Sequence, residues 1–432
     1  MPNNKTHSRN PWTWVPSLYL AEGLPYIIVM SVSGVLYKDM GISNVENTFF
    51  TAWLYLPWVI KPLWSPIVDI FKTKKLWIIV MQAIIGVTFA GVAFTIPTSN
   101  FFQYTLAFFW LMAFSSATHD ISADGFYMIG LSEYDQSFFV GIRSTFYRCA
   151  MWAGNGLLVM IAGYFEKTLG NVAHAWAICF FVLAGLFLLF SFYHSFMLPR
   201  SKSDKPAVTG ETKDFLKEYF KTFVLFFKRD KIFVILVFIL LYRLGEAQLV
   251  KMAPLFLLDS KSAGGIALST TQLGFVYGTV GTIFLVIGGI LGGIVAAKKG
   301  LKYWIWWMAL AINFPDLVYV FLAYTQTSNL LLINICVALE QFGYGFGFTA
   351  FLLFLIYISK GKYKTSHYAI ATGIMALGMM IPGMFSGWIQ ETLGYQQFFI
   401  WVCLCTIPAF ILTKFIPIDP EFGKNKEVNG NV

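Results

Sequence analysis

The chain has 432 residues, of which 57% are hydrophobic and only 12% are charged, and its mean hydropathy is +0.65. Soluble proteins carry about 25% charged residues, so this composition excludes a soluble globular enzyme. A net charge of +9 would suggest a nucleic-acid partner in a soluble protein, but in so apolar a chain it indicates membrane topology. We therefore expect lipid, and no nucleic acid, around this protein.

Apolar runs long enough to cross a bilayer, which takes roughly 20 residues each, recur along the whole chain. Read against turn signals, they predict twelve spans, near residues 14–36, 48–69, 76–97, 101–128, 138–165, 172–198, 231–258, 270–296, 302–324, 329–358, 365–390 and 396–417. The first thirteen residues lack the cleavage site of a signal peptide. The first span is therefore expected to remain uncleaved.

Basic residues cluster in every second loop, at 72–75, 200–229, 298–302 and 360–364. Because cytoplasmic loops carry an excess of Lys and Arg, this alternation places these loops and both termini in the cytoplasm. The sequence thus predicts a multi-pass protein of the bacterial inner membrane, and we expect it to act as a monomer.

One long polar stretch divides the chain into residues 1–198, a linker at 199–230, and residues 231–432. Within the linker, Lys213 to Lys228 has helical periodicity with mixed basic and aromatic residues, which is typical of an amphipathic helix lying on a membrane. The chain is therefore predicted to contain six spans before the linker and six after it.

An internal repeat supports this division. The segment 68–78 after the second span matches 295–305 after the eighth at one fixed offset, and 18–23 in the first span is echoed by 241–246 in the seventh. Two duplicated six-helix halves are typical of the major facilitator architecture, in which a solute site lies near the midplane of the membrane. The predicted fold is thus an all-α membrane protein with twelve transmembrane helices in two pseudo-symmetric six-helix bundles.

Ionisable residues in the first six spans point to function, because each costs about 2.5–3.5 kcal/mol in hydrocarbon unless it has a partner, water or a task. Depth along the helices places Glu22, Asp120 and Arg148 in one layer, and Asp124 and Arg143 in a second layer. Asp120 with Arg148 and Asp124 with Arg143 are predicted ion pairs. The carboxylates Glu22, Asp120 and Asp124 either carry protons or belong to a static set of ion pairs.

The last six spans carry Arg243, Glu246 and Lys251 in the seventh, Asp316 in the ninth and Glu340 in the tenth. Arg243 and Glu246, one helical turn apart, either pair with each other or contact the solute. Fixed cations would favour an anionic or strongly polar solute. We predict solute-binding roles for Lys61, His119, Arg148, Arg243, Glu246, Glu340 and Gln341.

The loop after the second span begins with Asp69 and continues with Lys74 and Lys75. It resembles the cytoplasmic gating loop of major facilitators, in which a carboxylate at a helix end and loop cations latch the protein in one state. Topology alone would explain the lysines but not Asp69. Gating roles are therefore predicted for Asp69, Lys74, Lys75 and Arg143.

Several classes of function are disfavoured by what the sequence lacks. All five cysteines lie in apolar spans without disulfide or metal spacing, so we expect neither a metal nor another cofactor. No phosphate-binding G-x-x-x-x-G-K-[ST] motif is present, which argues against an ATP-driven pump in a single chain. No extramembrane segment is large enough for a catalytic domain, so the protein is not expected to be an enzyme.

Three stretches resemble one branch of the major facilitators, the family of AmpG muropeptide permeases and acetyl-coenzyme A transporters. They are residues 61–69, KPLWSPIVD; residues 117–125, ATHDISADG; and residues 366–394 of the eleventh span and its exit. His119 stands where that family usually has Gln. The resemblance implies a proton-linked importer of muropeptides or related amino-sugar saccharides, with Lys61, Asp120 and Asp124 at motif positions.

Together these patterns predict a symporter that works by alternating access, with protons and a polar, saccharide-like solute as its ligands. An uncoupled facilitator, or a solute sensor for another sugar or an organic anion, is the alternative that the residues leave open.

Overall fold

The computed structural model describes residues 9–199, 204, 212–360, 364–420 and 422. The described residues form helices and contain no strand, and they confirm the predicted all-α membrane protein with twelve transmembrane helices. Most passes are interrupted helices, so the number of helices exceeds the number of passes.

The first six passes contain nine α-helices. These are α1 (Val15–Ile27), α2 (Ser33–Asp39), α3 (Asn44–Trp53), α4 (Leu56–Ile70), α5 (Lys74–Thr95), α6 (Phe101–Gly130), α7 (Glu133–Trp152), α8 (Val159–Leu169) and α9 (Val172–Met197). Two π-helical segments, Ile28–Val32 and Ala153–Leu158, join α1 to α2 and α7 to α8 and pack against each other. Such widened turns often occur near functional residues.

The linker contributes one helix, α10 (Thr212–Phe227), in the range where the sequence predicts an amphipathic helix. The last six passes contain α11 (Ile232–Leu241), α12 (Leu244–Leu258), α13 (Thr270–Leu273), α14 (Thr282–Lys299), α15 (Leu301–Asn313), α16 (Leu317–Thr325), α17 (Leu330–Ile358), α18 (Lys364–Leu404) and α19 (Ile407–Thr413). A π-helical segment, Gly274–Gly281, joins α13 to α14, and a 3-10 turn, Phe314–Asp316, joins α15 to α16.

Eight helical segments of the described chain are long and apolar enough to cross a membrane by length and composition alone. One of them, Ser366–Thr413, contains two passes, because Gly394 interrupts its helical path. The φ and ψ of Gly394 are 73° and 163°, a conformation that is accessible to glycine and strained for other residues. The second, fourth and fifth passes do not meet these criteria, and the helix α6 of the fourth pass carries polar residues of the candidate site.

The helices group into two compact units. Unit 1 comprises residues 1–33 and 63–217, and unit 2 comprises residues 34–62 and 218–432. Residues 34–62 of the second predicted span and its approach therefore group with the last six passes. The predicted division into bundles at residues 1–198 and 231–432, with a linker at 199–230, stays a prediction.

Unit 1 is built around α5, which packs against α6 and α9, while α1 packs against α7. The contact between α1 and α7 is close at Gly23, where an added Cβ would lie 2.7 Å from the Cβ of Ala150. Side chains of these five helices form the buried polar contacts of unit 1, so their packing positions the candidate site residues.

Unit 2 contains a glycine-mediated contact between α14 and α17. A Cβ added at Gly288 would lie 2.1 Å from the carbonyl oxygen of Phe342, and one added at Gly345 would lie 2.0 Å from that of Leu285. Only glycine permits backbones to approach this closely. The helix α17, which carries Glu340 and Gln341, is therefore fixed firmly on its neighbour.

Candidate functional site

The carboxyl groups of Glu22 on α1 and Asp120 on α6 hydrogen-bond to each other in unit 1. Glu22 is 6% exposed, and its Oε2 atom has no hydrogen-bond partner. Two carboxylate groups cannot form a hydrogen bond unless one of them carries a proton. Glu22 and Asp120, which the sequence places in one layer, thus lie close together, and a hydrogen bond between them requires that one of the two carries a proton.

The predicted pair between Asp124 and Arg143 is also confirmed. Arg143 Nη2 lies 2.9 Å from Asp124 Oδ1, and the hydroxyl group of Tyr19 donates a 3.1 Å hydrogen bond to the same oxygen. The guanidinium carbon lies 4.6 Å from the ring centroid of Tyr19 and 5.0 Å from that of Tyr127. A charge held by an ion pair, a hydroxyl group and two aromatic rings is well suited to joining α1, α6 and α7.

The predicted pair between Asp120 and Arg148 is wrong. In the described part of the chain, Asp120 bonds to Glu22, and Arg148 is half-buried on α7 without an ion-pair partner. The depth of a residue along a helix says nothing about the direction in which it points around the helix axis. Two residues in one layer can therefore face different neighbours.

His119 belongs to a buried hydrogen-bonded chain that crosses unit 1. Its Nε2 atom lies 2.9 Å from Gln82 Nε2, Gln82 Oε1 lies 2.9 Å from His194 Nδ1, and His194 Nε2 lies 2.9 Å from Ser17 Oγ. His119, Gln82 and His194 are each fully buried, and His119 Nδ1 has no partner. Gln82 and His194 were not predicted from the sequence. They lie on the third and sixth passes, far along the chain from His119, and nothing in the sequence indicates that the three side chains meet.

The bonds of Gln82 assign roles to the two rings. Its amide nitrogen donates to His119 Nε2, and its carbonyl oxygen accepts from His194 Nδ1. His119 is then neutral with its proton on Nδ1, and His194 carries a proton on Nδ1. The amide of Gln82 therefore holds the ring of His119, the residue before Asp120, in a single tautomer.

In unit 2, Arg243 lies on aromatic side chains. Its Nη2 atom donates a 2.6 Å hydrogen bond to the hydroxyl group of Tyr344, and its guanidinium carbon lies 5.1 Å and 4.6 Å from the ring centroids of Tyr344 and Phe348. Arg243 Nε has no partner. A guanidinium group that is stacked and only partly bonded retains donors for an anionic or hydroxyl-rich ligand.

Unit 2 also contains three buried carboxyl groups, on Glu246, Asp316 and Glu340, and Arg243 acts on the first of them. Glu246 and Asp316 are each 1% exposed, and none of their four carboxyl oxygens has a hydrogen-bond partner. Glu246 therefore does not form a hydrogen-bonded pair with Arg243. Glu340 accepts hydrogen bonds from Tyr319 and from the amide of Gln341, at 3.4 Å and 3.0 Å.

Two lysines of unit 2 have contrasting surroundings. Lys251 on α12 is buried, donates a 3.1 Å hydrogen bond to Thr51 Oγ1 on α3, and lies 5.3 Å from the ring centroid of Tyr55. Lys61 lies half-buried on α4. Lys251 thus joins α12 to the helix that follows the first predicted span.

A second polar cluster in unit 2 was not predicted. The Asp259 cluster consists of Lys38, Asn44, Asp259, Gln390 and Tyr395. Asp259 Oδ1 lies 2.5 Å from Lys38 Nζ, and Asp259 Oδ2 accepts from Asn44 at 3.0 Å and from the hydroxyl group of Tyr395 at 2.6 Å. The Asn44 amide also donates to Gln390, at 3.0 Å. Lys38 and Asp259 are more than two hundred positions apart in the chain, and such a separation offers no sequence signal of contact.

The predicted gating lysines lie at the start of α5. The backbone N–H groups of Lys74 and Lys75 donate to the carboxylate of Asp204 at 2.7 Å and 3.0 Å, and Lys75 Nζ donates to the carbonyl oxygen of Leu198 at 2.7 Å. An anion at a helix N-terminus is favoured by the unpaired N–H groups there. The side chain of Asp69 lies outside the described residues, so its predicted role remains untested.

Comparisons with known proteins address the architecture. The family model described as Major Facilitator Superfamily matches residues 17–363. The anhydromuropeptide permease of Escherichia coli (strain K12) is 24% identical over 408 residues, which cover 91% of this chain and 77% of that protein. The putative transporter AmpG 4 of Rickettsia felis is 25% identical over 431 residues, covering 95% and 96%.

Solved structures show the same fold at low sequence identity. A D-xylose-proton symporter superposes with a TM-score of 0.67 at 14% identity, covering 94% of this chain and 97% of that one. A POT family transporter in complex with 5-aminolevulinic acid superposes with a TM-score of 0.70 at 9% identity, covering 93% and 94%. At such identities the likeness concerns the fold alone.

Proposed function

The chain belongs to the major facilitator superfamily, and from that premise we propose that it is a secondary active transporter that works by alternating access. It imports an amino-sugar-containing saccharide or a muropeptide together with protons. Homology to the AmpG permeases makes it a transporter and not an enzyme. Its place is the inner membrane of a bacterium, with both termini in the cytoplasm, and it acts as a monomer.

The observation that carries the proton coupling is the hydrogen bond between Glu22 and Asp120. A buried carboxyl pair that shares one proton is a group that can release and rebind it as its surroundings change. Asp124 lies one helical turn from Asp120 and forms an ion pair with Arg143. The ion pair keeps Asp124 ionised close to Glu22 and Asp120. We assign proton transfer to Glu22 and Asp120, with Asp124 as the neighbouring charge.

The solute class rests on chemistry and on relatives. The names of the E. coli and Rickettsia relatives refer to anhydromuropeptides and to AmpG. Arg243, stacked on Tyr344 and Phe348, offers both a cation and aromatic faces, which suit an acidic or hydroxyl-rich saccharide. We also propose solute-binding roles for Lys61, His119, Arg148 and Gln341, of which Lys61 and Arg148 are half-buried cations.

Counterflow and proton-driven uptake in proteoliposomes test the coupling. The wild type is expected to accumulate solute when a proton gradient is imposed, and Glu22→Gln is expected to lose at least tenfold of that accumulation. Glu391→Gln, an exposed carboxylate on α18, is the matched control and should behave as the wild type. Gradient-independent flux in the wild type would indicate a facilitator, and binding without flux would indicate a sensor.

The solute itself is identified by a thermal-shift screen of purified protein with anhydro-muropeptides, amino-sugar disaccharides and coenzyme A esters, since a ligand that binds only the folded state raises the unfolding temperature. Arg243→Lys retains the charge but loses the planar fork, whereas Arg243→Ala loses both. The stabilisation by the best ligand should fall in that order. Equal stabilisation of all three proteins would contradict a role for Arg243 in binding.

A further inference from the structure

The geometry points to a second proton-binding site in unit 2, formed by the carboxyl groups of Glu246, Asp316 and Glu340. This inference rests on the proposed proton-coupled function and extends it. It also assigns Glu246 and Glu340 to proton binding, whereas the sequence alone suggested contact with the solute.

The three residues come from separate helical segments. Glu246 lies in the first turn of α12, Asp316 ends the 3-10 turn before α16, and Glu340 lies in the middle of α17. Asp316 Oδ2 lies 3.7 Å from the position of a Cβ on Gly245, the residue next to Glu246. The three carboxyl groups are close enough for their charges to act on one another.

Their surroundings do not support three negative charges. All three residues are at most 2% exposed, and the four oxygens of Glu246 and Asp316 accept no hydrogen bond. An ionised carboxylate removed from water without donors costs several kcal/mol, and a group in this position takes up a proton instead. A protonated carboxyl group also brings a donor of its own to a place that lacks one.

Arg243 is the cation that acts on Glu246. Three carboxylates against one guanidinium group leave two negative charges, so the cluster becomes neutral when it holds two protons. The partners of Glu340, which are the hydroxyl group of Tyr319 and the amide of Gln341, both donate hydrogen bonds. Glu340 is therefore the member best suited to remain ionised, and Glu246 and Asp316 are the members that hold the protons.

The ligand of this cluster is a proton and not a metal ion. Within the described residues, no group of three or more His, Cys, Asp or Glu side chains is arranged to hold a metal ion. A sodium or divalent ion needs several oxygens converging on one point, whereas protons bind to each carboxyl group separately. The site differs from the Glu22 and Asp120 pair, which belongs to unit 1.

Infrared difference spectroscopy of the full-length protein in lipid nanodiscs tests this inference, because protonated carboxyl groups absorb apart from ionised ones. At neutral pH, Glu246→Gln and Asp316→Asn should each lose one protonated carboxyl from the spectrum of the wild type, and the exposed Glu391→Gln should lose none. Arg243→Gln should gain one, because the cation that offsets the third carboxylate is gone. Two independent carboxyl variants keep the test valid if one of them fails to fold.

Spectra of Glu246→Gln and Asp316→Asn that equal the wild-type spectrum at neutral pH would overturn the site. Proton movement during solute influx is measured separately in proteoliposomes with a pH-sensitive dye inside. A wild type that carries solute without protons, but shows both carboxyl bands, would overturn the proposed coupling and retain the site. Coupled transport without the bands would overturn the site and retain the coupling.

Discussion

Removing the carboxylate of Asp259 is expected to shift the protein away from the conformation described here. In the Asp259 cluster the carboxylate of Asp259 forms an ion pair with Lys38 and accepts hydrogen bonds from Asn44 and Tyr395. Lys38 and Asn44 belong to the first two passes, and Tyr395 follows the eleventh. Alternating access requires such contacts to form in one state and to break in another.

The magnitude follows from the contacts. Lys38 and Asp259 are 16% and 14% exposed, so solvent screens their attraction only in part. The ion pair contributes about 1–2 kcal/mol and each hydrogen bond about 1 kcal/mol, which together give about 3–4 kcal/mol. Since 1.4 kcal/mol corresponds to tenfold, Asp259→Ala should shift the conformational equilibrium by roughly 100- to 1,000-fold. Lys38→Met removes the ion pair and the 2.8 Å hydrogen bond that Lys38 Nζ donates to Asn44 Oδ1, and should shift it by roughly 30- to 100-fold.

Distances between two spin labels provide the assay. The labels are attached at Glu46 on α3 and at Ser262, both of which are exposed, in a background without native cysteines. The wild type should show mainly the short distance between them, and Asp259→Ala should show mainly a longer one. Glu391→Gln is the control. An unchanged distance distribution in Asp259→Ala would refute the reasoning, because the cluster would then contribute nothing to the choice of state.

Three further predictions concern packing and buried polar contacts. Gly288→Ala should lower the unfolding temperature of the purified protein, because its Cβ would lie 2.1 Å from a backbone carbonyl oxygen. Gly293→Ala on the same helix has no atom within 4 Å of its Cβ and should leave the unfolding temperature unchanged. Equal unfolding temperatures of the two variants would contradict the close contact. Gln82→Leu leaves the rings of His119 and His194 without their hydrogen bonds to Gln82 and should lower the free energy of unfolding by about 2–4 kcal/mol. The loss is measured as a lower unfolding temperature. An unchanged unfolding temperature would contradict the hydrogen-bonded chain. Tyr19→Phe should cost only about 1 kcal/mol, because Asp124 keeps its arginine partner, and a loss as large as that of Gln82→Leu would contradict this.

The number and place of the passes could be predicted from the sequence, because a bilayer demands a long apolar run for each pass. The charge pair that the sequence predicted correctly lies on two consecutive, uninterrupted helices. Asp124 and Arg143 lie on the uninterrupted helices α6 and α7, so counting residues from the shared end placed them together correctly. Asp120 bonds to Glu22 on a third helix, which such counting could not reveal.

Local spacing failed where the helix was broken. Arg243 and Glu246 would be neighbours on one face of a continuous helix. Arg243 has a φ of −113° and a ψ of 26°, so α11 ends just before it and α12 begins just after it. The guanidinium group lies on Tyr344 and Phe348 while Glu246 remains without a hydrogen-bond partner. The apolar sequence around Arg243 contains no signal that predicts the break between α11 and α12.

The turn at Gly394 has a consequence for the last two passes. Gly394 alone interrupts the helical path between these passes, and the next residue is Tyr395, whose hydroxyl group is bonded to Asp259. Because the connection is this short, a shift or tilt of one pass must also move the other. Peptide tags or protease sites inserted at this bend would displace the tyrosine and are expected to be poorly tolerated, although most bends between membrane helices accept them.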